Sequence, residues 1–250
     1  MAILYPDMKT FFTIAGPVIT LLISGSTVSG DNFTVQRQGM VSAIREMVYD
    51  TRDYTGREEL SERVYAAMEK VPRHEFVPDE MQMHAYLNSP LPIGHDQTIS
   101  QPYIVALMTD LADTDKDAIV LEVGTGSGYQ AAVLAELVQH VYTIEIVEAL
   151  GISARKTLRR LGYDNVTVRI GDGYHGWEEH APFDAILVTA AVDHIPAPLL
   201  AQLRPGGRLV IPIGREFSTQ TLTLVEKKTD GRIVERVILP VGFVPLTGEH

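Results

Sequence analysis

The second half of the chain alternates between short apolar runs and segments with helical spacing. The apolar runs are AIVLEV at 118–123, HVYTIEI at 140–146, VTVRI at 166–170, FDAILVTAA at 183–191 and RLVIPI at 208–213. Helices are predicted between them, at 129–138, at 149–161 and around Leu199. Continuous runs rich in β-branched residues and separated by helices are typical of a parallel sheet that is buried on both faces.

The pattern changes near the carboxyl terminus. TLTLVEKK at 221–228 and RIVERVIL at 232–239 flank Asp230-Gly231, a dipeptide that favours a tight hairpin turn. We therefore predict an α/β fold. It is a Rossmann-like, doubly wound, mostly parallel sheet with an antiparallel C-terminal hairpin, arranged as an α/β/α sandwich.

The periodicity is weaker before residue 118. Thr55 and Glu58 have the spacing of a capping box in front of a helix that Pro72 should end. Residues 77–102 are rich in proline, glycine and polar side chains, which predicts a long loop rather than a core element. Long loops of this kind often carry function.

The first thirty residues form an apolar extension. No charged residue occurs from residue 10 to residue 30, as in a signal-peptide core or a weak membrane anchor, although Gly16-Pro17 interrupts the block. A start site upstream of the true one, with Met40 or Met47 as the alternative, would also explain this block.

Composition excludes several classes of function. A formal net charge of −11 leaves too little positive charge for a surface that binds nucleic acid through its phosphates. The absence of cysteine excludes disulfides, thiolate nucleophiles and cysteine-ligated zinc. The histidines include no HExxH motif, so no metal site is predicted, and the absence of a GxSxG motif argues against a serine hydrolase.

A glycine-rich motif follows the first of the alternating strands. LEVGTGSGYQ at 121–130 has GxGxG spacing, whereas a nicotinamide-binding fingerprint requires GxGxxG, which Tyr129 breaks. Glu145 closes the next strand, where a carboxylate can accept hydrogen bonds from both hydroxyls of a ribose. GDG at 171–173 adds a loop at the carboxyl end of a third strand. Each feature alone also fits a structural turn or a solvated side chain, but together they indicate a ligand site.

These features resemble the class I S-adenosylmethionine-dependent methyltransferases, over residues 118–213. The resemblance implies that S-adenosyl-L-methionine is the cofactor and that Glu145 binds its ribose. Asp172 and Gly173 would bind the adenine, and Thr189 would face the cofactor cleft. The methionine end would be held by Glu122, Gly124, Thr125, Gly126, Ser127 and Gly128.

The segment LPIGHDQTISQPYIVALM at 91–108 indicates one family within this class of methyltransferases. It is similar to the hallmark of the protein-L-isoaspartate O-methyltransferases, in which a TIS tripeptide followed by a proline carries the active-site serine. Further similar segments are VPRHEFVP at 71–78, VTAA at 188–191, LRPGGRLVIPIG at 203–214 and FVPLT at 243–247. The resemblance implies that Ser100 is the active-site serine and that Thr98 and Thr247 lie near the cofactor.

The same resemblance implies a single methyltransferase domain at residues 31–250, with a helical part carrying the substrate loop at 31–117 and an S-adenosylmethionine-binding core at 118–250. Its partners would be isoaspartyl-containing proteins and peptides, whose repair it would start. We expect a monomer in the cytoplasm, where the methyl donor is made. Export or membrane anchoring through residues 10–30 is the alternative.

The expected reaction needs little catalytic apparatus. The carboxylate of an isoaspartyl residue is ionised at neutral pH because its intrinsic pKa is roughly 3 to 4, so no general base is required. The Ser100 hydroxyl would hold one carboxylate oxygen while the other lies in line with the methyl group. The methyl ester would then lose methanol to give a succinimide. Without the family pattern, Ser100 would be part of a polar turn before a helix with Pro102 in its first turn.

Two other functions fit the same cofactor motif. A different carboxyl methyltransferase would not distinguish isoaspartyl from aspartyl peptides. A non-catalytic S-adenosylmethionine-binding damage reader would bind cofactor and peptide without forming a methyl ester. His95-Asp96 is the one pair beside the TIS segment that could suggest acid–base chemistry, and a solvated loop is the favoured interpretation of it.

Overall fold

The computed structural model of the chain describes residues 30–215 and 219–248. The apolar block interpreted as a signal or an anchor, residues 10–30, therefore lies almost entirely outside the described residues. None of the helices in these described ranges combines the length and the apolar composition that a membrane span requires.

Seven α-helices and nine β-strands make up the regular structure of the described residues, besides short 3-10 turns. In chain order they are α1 (Gly30–Asp50), α2 (Arg52–Thr55), α3 (Glu62–Lys70), β1 (Leu91–Gly94), β2 (Gln97–Ile99), α4 (Pro102–Ala112), β3 (Ile119–Val123), α5 (Tyr129–Ala135), β4 (His140–Glu145), α6 (Glu148–Arg160), β5 (Val166–Ile170), β6 (Phe183–Val188), α7 (Ala197–Gln202), β7 (Leu203–Ile213), β8 (Gln220–Lys227) and β9 (Ile233–Val241). Each strand and helix predicted after residue 118 is present. The largest difference is in β7, which begins at Leu203 rather than at residue 208.

Seven strands form one sheet in the order β5-β4-β3-β6-β7-β8-β9. The first five strands of this order are parallel, and β8 is antiparallel to both of its neighbours. The predicted fold class, a mostly parallel sheet with an antiparallel C-terminal hairpin, is therefore confirmed. The strand order reverses at β3, with β4 on one side and β6 on the other. Open α/β sheets bind ligands at the carboxyl ends of the strands at such a switch point.

Alternate residues of β3 pack into two different cores. Val120 belongs to the core that includes α4 and α5, whereas Leu121 and Val123 belong to the core on the opposite face. Successive side chains of a strand point to opposite faces, so β3 is covered on both sides and its sequence is a nearly continuous apolar run. Glu122 is the exception in this run, and it is fully buried.

The N-terminal helices α1, α3 and α4 pack against one another, and α4 also contacts β6 and β7. All eleven residues of α4 are buried. Pro102 lies in its first turn, as predicted. Residues at this position do not use their N–H in a helical hydrogen bond, so proline is tolerated there. A hydrogen bond of 2.5 Å between the hydroxyls of Thr51 and Tyr103 ties the end of α1 to this helix.

The predicted capping box is wrong. Thr55 ends α2 instead of starting a helix, and its hydroxyl donates to Thr51 O at 3.2 Å. Helix α3 begins only after Ser61, whose backbone N–H donates to Asp110 Oδ1 of α4 at 2.8 Å. A tertiary contact, and not the local spacing of Thr55 and Glu58, therefore sets the start of α3.

The predicted long loop at 77–102 is partly regular. β1 and β2 form a separate two-stranded antiparallel sheet in which Leu91 lies opposite Ile99. His95 and Asp96 connect the strands with φ angles of 54° and 56°, as in a type I′ turn. Both are exposed, which agrees with their interpretation as a solvated turn. The hairpin presents the TIS segment at the start of α4.

Candidate functional site

The loop between β3 and α5 has a backbone that requires glycine. Gly124, Gly126 and Gly128 have φ angles of 97°, 53° and 90°, a region that glycine occupies without a Cβ penalty. Space is limited as well, because a Cβ on Gly124 would lie 2.4 Å from Thr189 Oγ1. The Thr189 hydroxyl donates to Gly124 O at 2.6 Å and so holds the loop against the end of β6.

Glu145 lies at the end of β4 and binds this loop through its carboxylate. Its Oε2 accepts from the backbone N–H of Gly126 at 2.7 Å, and its Oε1 accepts from that of Val147 at 2.8 Å. The residue is only 6% exposed. Each oxygen retains a further lone pair, so the carboxylate can accept additional hydrogen bonds from a ligand above the loop.

Glu122 is a buried acid beside the same loop. Its Oε2 accepts from Thr143 Oγ1 at 2.5 Å, and Thr143 Oγ1 lies 2.7 Å from Thr125 Oγ1. Glu122 Oε1 is buried without a hydrogen-bond partner. Burial raises the pKa of Glu122 to about 8, the Thr143 hydrogen bond opposes this shift, and the charge of Glu145 adds to it.

A first cavity opens above the glycine loop at the carboxyl ends of β3 and β4. Predicted site residues from five separate segments line it. They are Thr98, Gly124, Gly126, Glu145, Gly173 and Thr247. The structure therefore brings these predicted residues together, although they span 150 positions of the sequence.

Asp172 differs from the other predicted residues. Its carboxylate accepts from the backbone N–H of Tyr174 at 2.9 Å and so caps the short 3-10 turn Gly173–His175. It does not belong to the lining of the first cavity, whereas the adjacent Gly173 does. The turn-forming interpretation of Asp172 thus has direct structural support.

A second cavity surrounds Ser100 and adjoins the first. Both cavities are lined by Thr98, Gly124 and Gly126. The second also contains further predicted residues, listed in order along the chain: Ser100, Glu122, Thr125, Ser127 and Thr189. Of the predicted site residues, only Asp172 and Gly128 line neither cavity. Gly128 is instead buried under α6, where a Cβ would meet Leu158 at 3.2 Å.

The hydroxyls of Thr98, Ser100, Ser127 and Thr247 are available for ligands. Within the described residues none of them has a hydrogen-bond partner. The backbone of the C-terminal segment is well anchored, however, since the N–H of Leu246 donates to Ala191 O and that of Ala191 to Val244 O, both at 2.8 Å. This pairing brings Thr247 to the end of β6.

Sequence reasoning missed several residues that line the two cavities. Their side chains are mostly apolar or amide-bearing, so no charge or glycine pattern marks them. Most are sequence neighbours of predicted residues, and adjacency is the signal that could have found them. They include Gln97, Ile99, Gln130, Ile146, Ala190, Pro245 and Leu246.

Comparison with known proteins decides the family. The family model for protein-L-isoaspartate(D-aspartate) O-methyltransferase matches residues 45–250. The chain belongs to this family. It is 65% identical over 211 residues to protein-L-isoaspartate O-methyltransferase 2 of Polaromonas sp. (strain JS666), covering 84% of this chain and 100% of that protein. It is 57% identical over 234 residues to the protein of the same name from Syntrophobacter fumaroxidans, covering 93% and 95%.

Solved structures agree with this membership of the protein-L-isoaspartate O-methyltransferase family. One protein-L-isoaspartate O-methyltransferase superposes with a TM-score of 0.73 at 30% identity, covering 85% of this chain and 66% of the other. Another, from Plasmodium falciparum in complex with S-adenosyl-L-homocysteine, has a TM-score of 0.66 at 26% identity and covers 82% and 97%. The family depends on S-adenosyl-L-methionine, so the predicted cofactor is confirmed.

The two cavities fit this cofactor of the isoaspartate methyltransferase family. S-Adenosyl-L-methionine carries an ammonium and a sulfonium group, and the unpartnered Oε1 of Glu122 supplies a buried acceptor for a cation beside the glycine loop. The lone pairs left on Glu145 suit the vicinal hydroxyls of a ribose.

Cofactor binding is expected to release a proton from Glu122. In the free protein its pKa of about 8 keeps the carboxyl group mostly protonated at pH 7. A bound cation favours the ionised form, so roughly 0.9 proton should leave at pH 7. Cofactor affinity should accordingly rise as the pH increases toward 8 and level off above it. Titration calorimetry at pH 7 in phosphate and in Tris, which differ in ionisation enthalpy, measures this release.

The matched control is Glu122→Gln, which keeps the shape of the side chain but has no titrating group. The difference in proton release between the two proteins removes any contribution from the cofactor's own groups. Equal release by both proteins would contradict the assignment to Glu122.

Proposed function

We propose that the chain is a protein-L-isoaspartate(D-aspartate) O-methyltransferase that methylates the free carboxylate of isoaspartyl residues in damaged proteins. The observation that carries this proposal is the wall that the two cavities share at Thr98, Gly124 and Gly126. A cofactor that extends from the first cavity past this wall would meet a carboxylate beside Ser100 in the second cavity. Direct transfer of a group requires such contact between the two reactants.

The first cavity would hold the adenosine part of the cofactor. In this proposal Glu145 accepts hydrogen bonds from the ribose hydroxyls, Gly173 and Asp172 lie at the adenine, and Thr98 and Thr247 line the mouth. When bound, S-adenosyl-L-methionine supplies a methyl group that a carboxylate oxygen attacks, while the electron pair of the breaking C–S bond stays on sulfur. The methionine end would extend past Gly124 and Gly126 into the second cavity, where Glu122, Thr125 and Ser127 would hold it. Gly128, which is buried under α6, and Thr189 would support the loop.

The second cavity would orient the substrate. The Ser100 hydroxyl is free to donate to one carboxylate oxygen, which leaves the other oxygen directed at the cofactor. Ile99 and Val105 line the same cavity and are buried, so these walls help to exclude water that would compete for the methyl group. No residue has to remove a proton, because the substrate carboxylate is already ionised.

The arrangement of the chain supports further parts of the proposal. Every residue to which the proposal gives a role comes from one chain, so the proposed reaction needs only a monomer as the functional unit. Residues 31–117 supply Ser100 and Thr98 while 118–250 supply the glycine loop, which supports one methyltransferase domain across 31–250. A supply of methyl donor in the cytosol supports a cytoplasmic location.

Matched peptides test this function. Two synthetic peptides of one sequence, with isoaspartyl or normal aspartyl at one position, are incubated with the protein and S-adenosyl-L-methionine carrying a labelled methyl group. We expect base-labile label in the isoaspartyl peptide and at least about a hundredfold less in the aspartyl peptide, since one added methylene displaces the carboxylate from the transfer geometry.

Equal labelling of both peptides would overturn the proposed specificity and indicate a different carboxyl methyltransferase. Binding of cofactor and isoaspartyl peptide with no label in either would indicate a non-catalytic reader. Calorimetric titration of cofactor and of peptide into the same preparation separates these outcomes from an inactive sample.

A further inference from the structure

Arg73 is a buried cation outside the predicted site. It begins the short 3-10 turn Arg73–Phe76, and its side chain is completely buried. Fully buried arginines are almost always paired with an acid. Within the described part of the chain, Arg73 forms no ion pair, and the groups that act on its charge are Tyr129 and Tyr86. Burial lowers the pKa of Arg73 to about 10, so the group remains charged at neutral pH.

The guanidinium binds both ends of the segment that leads to Ser100. Its Nε donates to Ala85 O at 2.8 Å, and its Nη2 donates to Ser100 O at 2.7 Å. A carbonyl fixed in this way restrains the backbone of Ser100 and hence the direction of its hydroxyl. Arg73 therefore fixes the serine of the second cavity from 27 positions away in the sequence.

The same guanidinium lies behind the wall of the second cavity. It stacks over the ring of Tyr129, with 4.7 Å between the guanidinium carbon and the ring centroid. Tyr129 itself lines the cavity that contains Ser100. Nη1 of Arg73 is buried without a hydrogen-bond partner, so part of the positive charge is left uncompensated near this wall. Such a charge in a low-dielectric surrounding attracts an anion in the adjacent cavity.

We propose that Arg73 is a positioning residue for methyl transfer, which sets the Ser100 hydroxyl through its backbone carbonyl and whose uncompensated charge favours binding of the anionic substrate carboxylate. This inference rests on the proposed function. It adds a residue that never touches the reacting atoms but determines both the orientation and the binding of the substrate.

Substitution of Arg73 by methionine and by lysine separates the two contributions. Arg73→Met removes the charge and the hydrogen bonds at similar length, and should raise KM for an isoaspartyl peptide about tenfold and lower kcat about tenfold. Arg73→Lys keeps the charge but not the planar fork of donors, so KM should return to near the wild-type value while kcat stays low. The Kd of S-adenosyl-L-homocysteine, measured by calorimetry, should change less than about threefold in both variants because the first cavity is intact.

Arg63→Met is the control for the loss of hydrogen bonds from an arginine to backbone carbonyls, at an exposed position. Arg63 also donates to two backbone carbonyls, Thr114 O at 3.0 Å and Leu137 O at 2.8 Å. None of these residues lines either cavity. Arg63→Met should lower the urea concentration at the unfolding midpoint without changing kcat or KM, which shows that losing such hydrogen bonds away from the cavities does not by itself impair methyl transfer.

Several outcomes would overturn the inference. One is wild-type kcat and KM in a folded Arg73→Met protein. Another is a loss of cofactor affinity that parallels the loss of activity. If Arg73→Met does not fold, Arg73→Lys decides, and unchanged kcat would refute the positioning role. Failure of the wild-type protein to methylate the isoaspartyl peptide would refute the proposed function instead, so the two failures are distinguishable.

Discussion

Replacement of Glu145 by alanine is expected to weaken cofactor binding by at least about a hundredfold. The substitution removes the carboxylate that we propose accepts two hydrogen bonds from the ribose. Each hydrogen bond to a charged group contributes roughly 1.5 kcal/mol or more, so two amount to about 3 kcal/mol. The substitution also leaves the N–H groups of Gly126 and Val147 without their acceptor, which loosens the loop that forms the cavity floor. Calorimetric titration with S-adenosyl-L-homocysteine measures the change in Kd.

Glu148→Ala is the matched control for this experiment. Glu148 carries the same charge three positions further on, is exposed in the first turn of α6, and lines neither cavity. Its removal should leave the Kd within about twofold, since an exposed charge near a helix terminus has a small effect. An unchanged Kd in a folded Glu145→Ala protein would refute the assignment of the ribose site.

Replacement of Ser100 by alanine is expected to lower kcat by on the order of a hundredfold and to leave cofactor affinity near normal. The hydroxyl has no partner within the described residues, so its removal breaks no internal hydrogen bond and should leave the fold intact. The loss would arise because the substrate carboxylate is no longer held in line with the methyl group. Single-turnover rates with saturating isoaspartyl peptide measure it.

Ser89→Ala provides the comparison for Ser100. Ser89 lies in the same segment, and only its backbone carbonyl faces Arg73, at 3.5 Å from Nη2. It lines neither cavity, so its hydroxyl should be dispensable. A Ser100→Ala protein that turns over at the wild-type rate would show that another group orients the carboxylate.

The α/β core could be predicted from the sequence because its determinants are local. A strand buried on both faces needs an unbroken apolar run, and the run from 118 to 123 becomes β3 for that reason. The positive φ angles of the glycine loop need Gly124 and Gly126, so the loop is visible as spacing. The position of Glu145 beside this loop could also be predicted, because neighbouring parallel strands have their carboxyl ends at a common edge of the sheet.

The N-terminal half could not be predicted in the same way, because long-range contacts decide it. Helix α3 starts where Ser61 meets Asp110, and not at the capping-box spacing of Thr55. His95 and Asp96 adopt positive φ angles in the type I′ turn. Such residues tolerate this conformation, but their presence in the sequence does not by itself predict a hairpin.

What the sequence by itself determined is therefore the order of strands and helices after residue 118, the glycine loop and the family. The tertiary structure alone decided which separate segments meet. The pairing of Leu246 with Ala191 brings Thr247 to the first cavity, and the hydrogen bond from Arg73 to Ser100 O holds the segment that carries Ser100. Periodicity encodes which face of an element is buried, but contacts between residues distant in sequence depend on the packing of the whole chain.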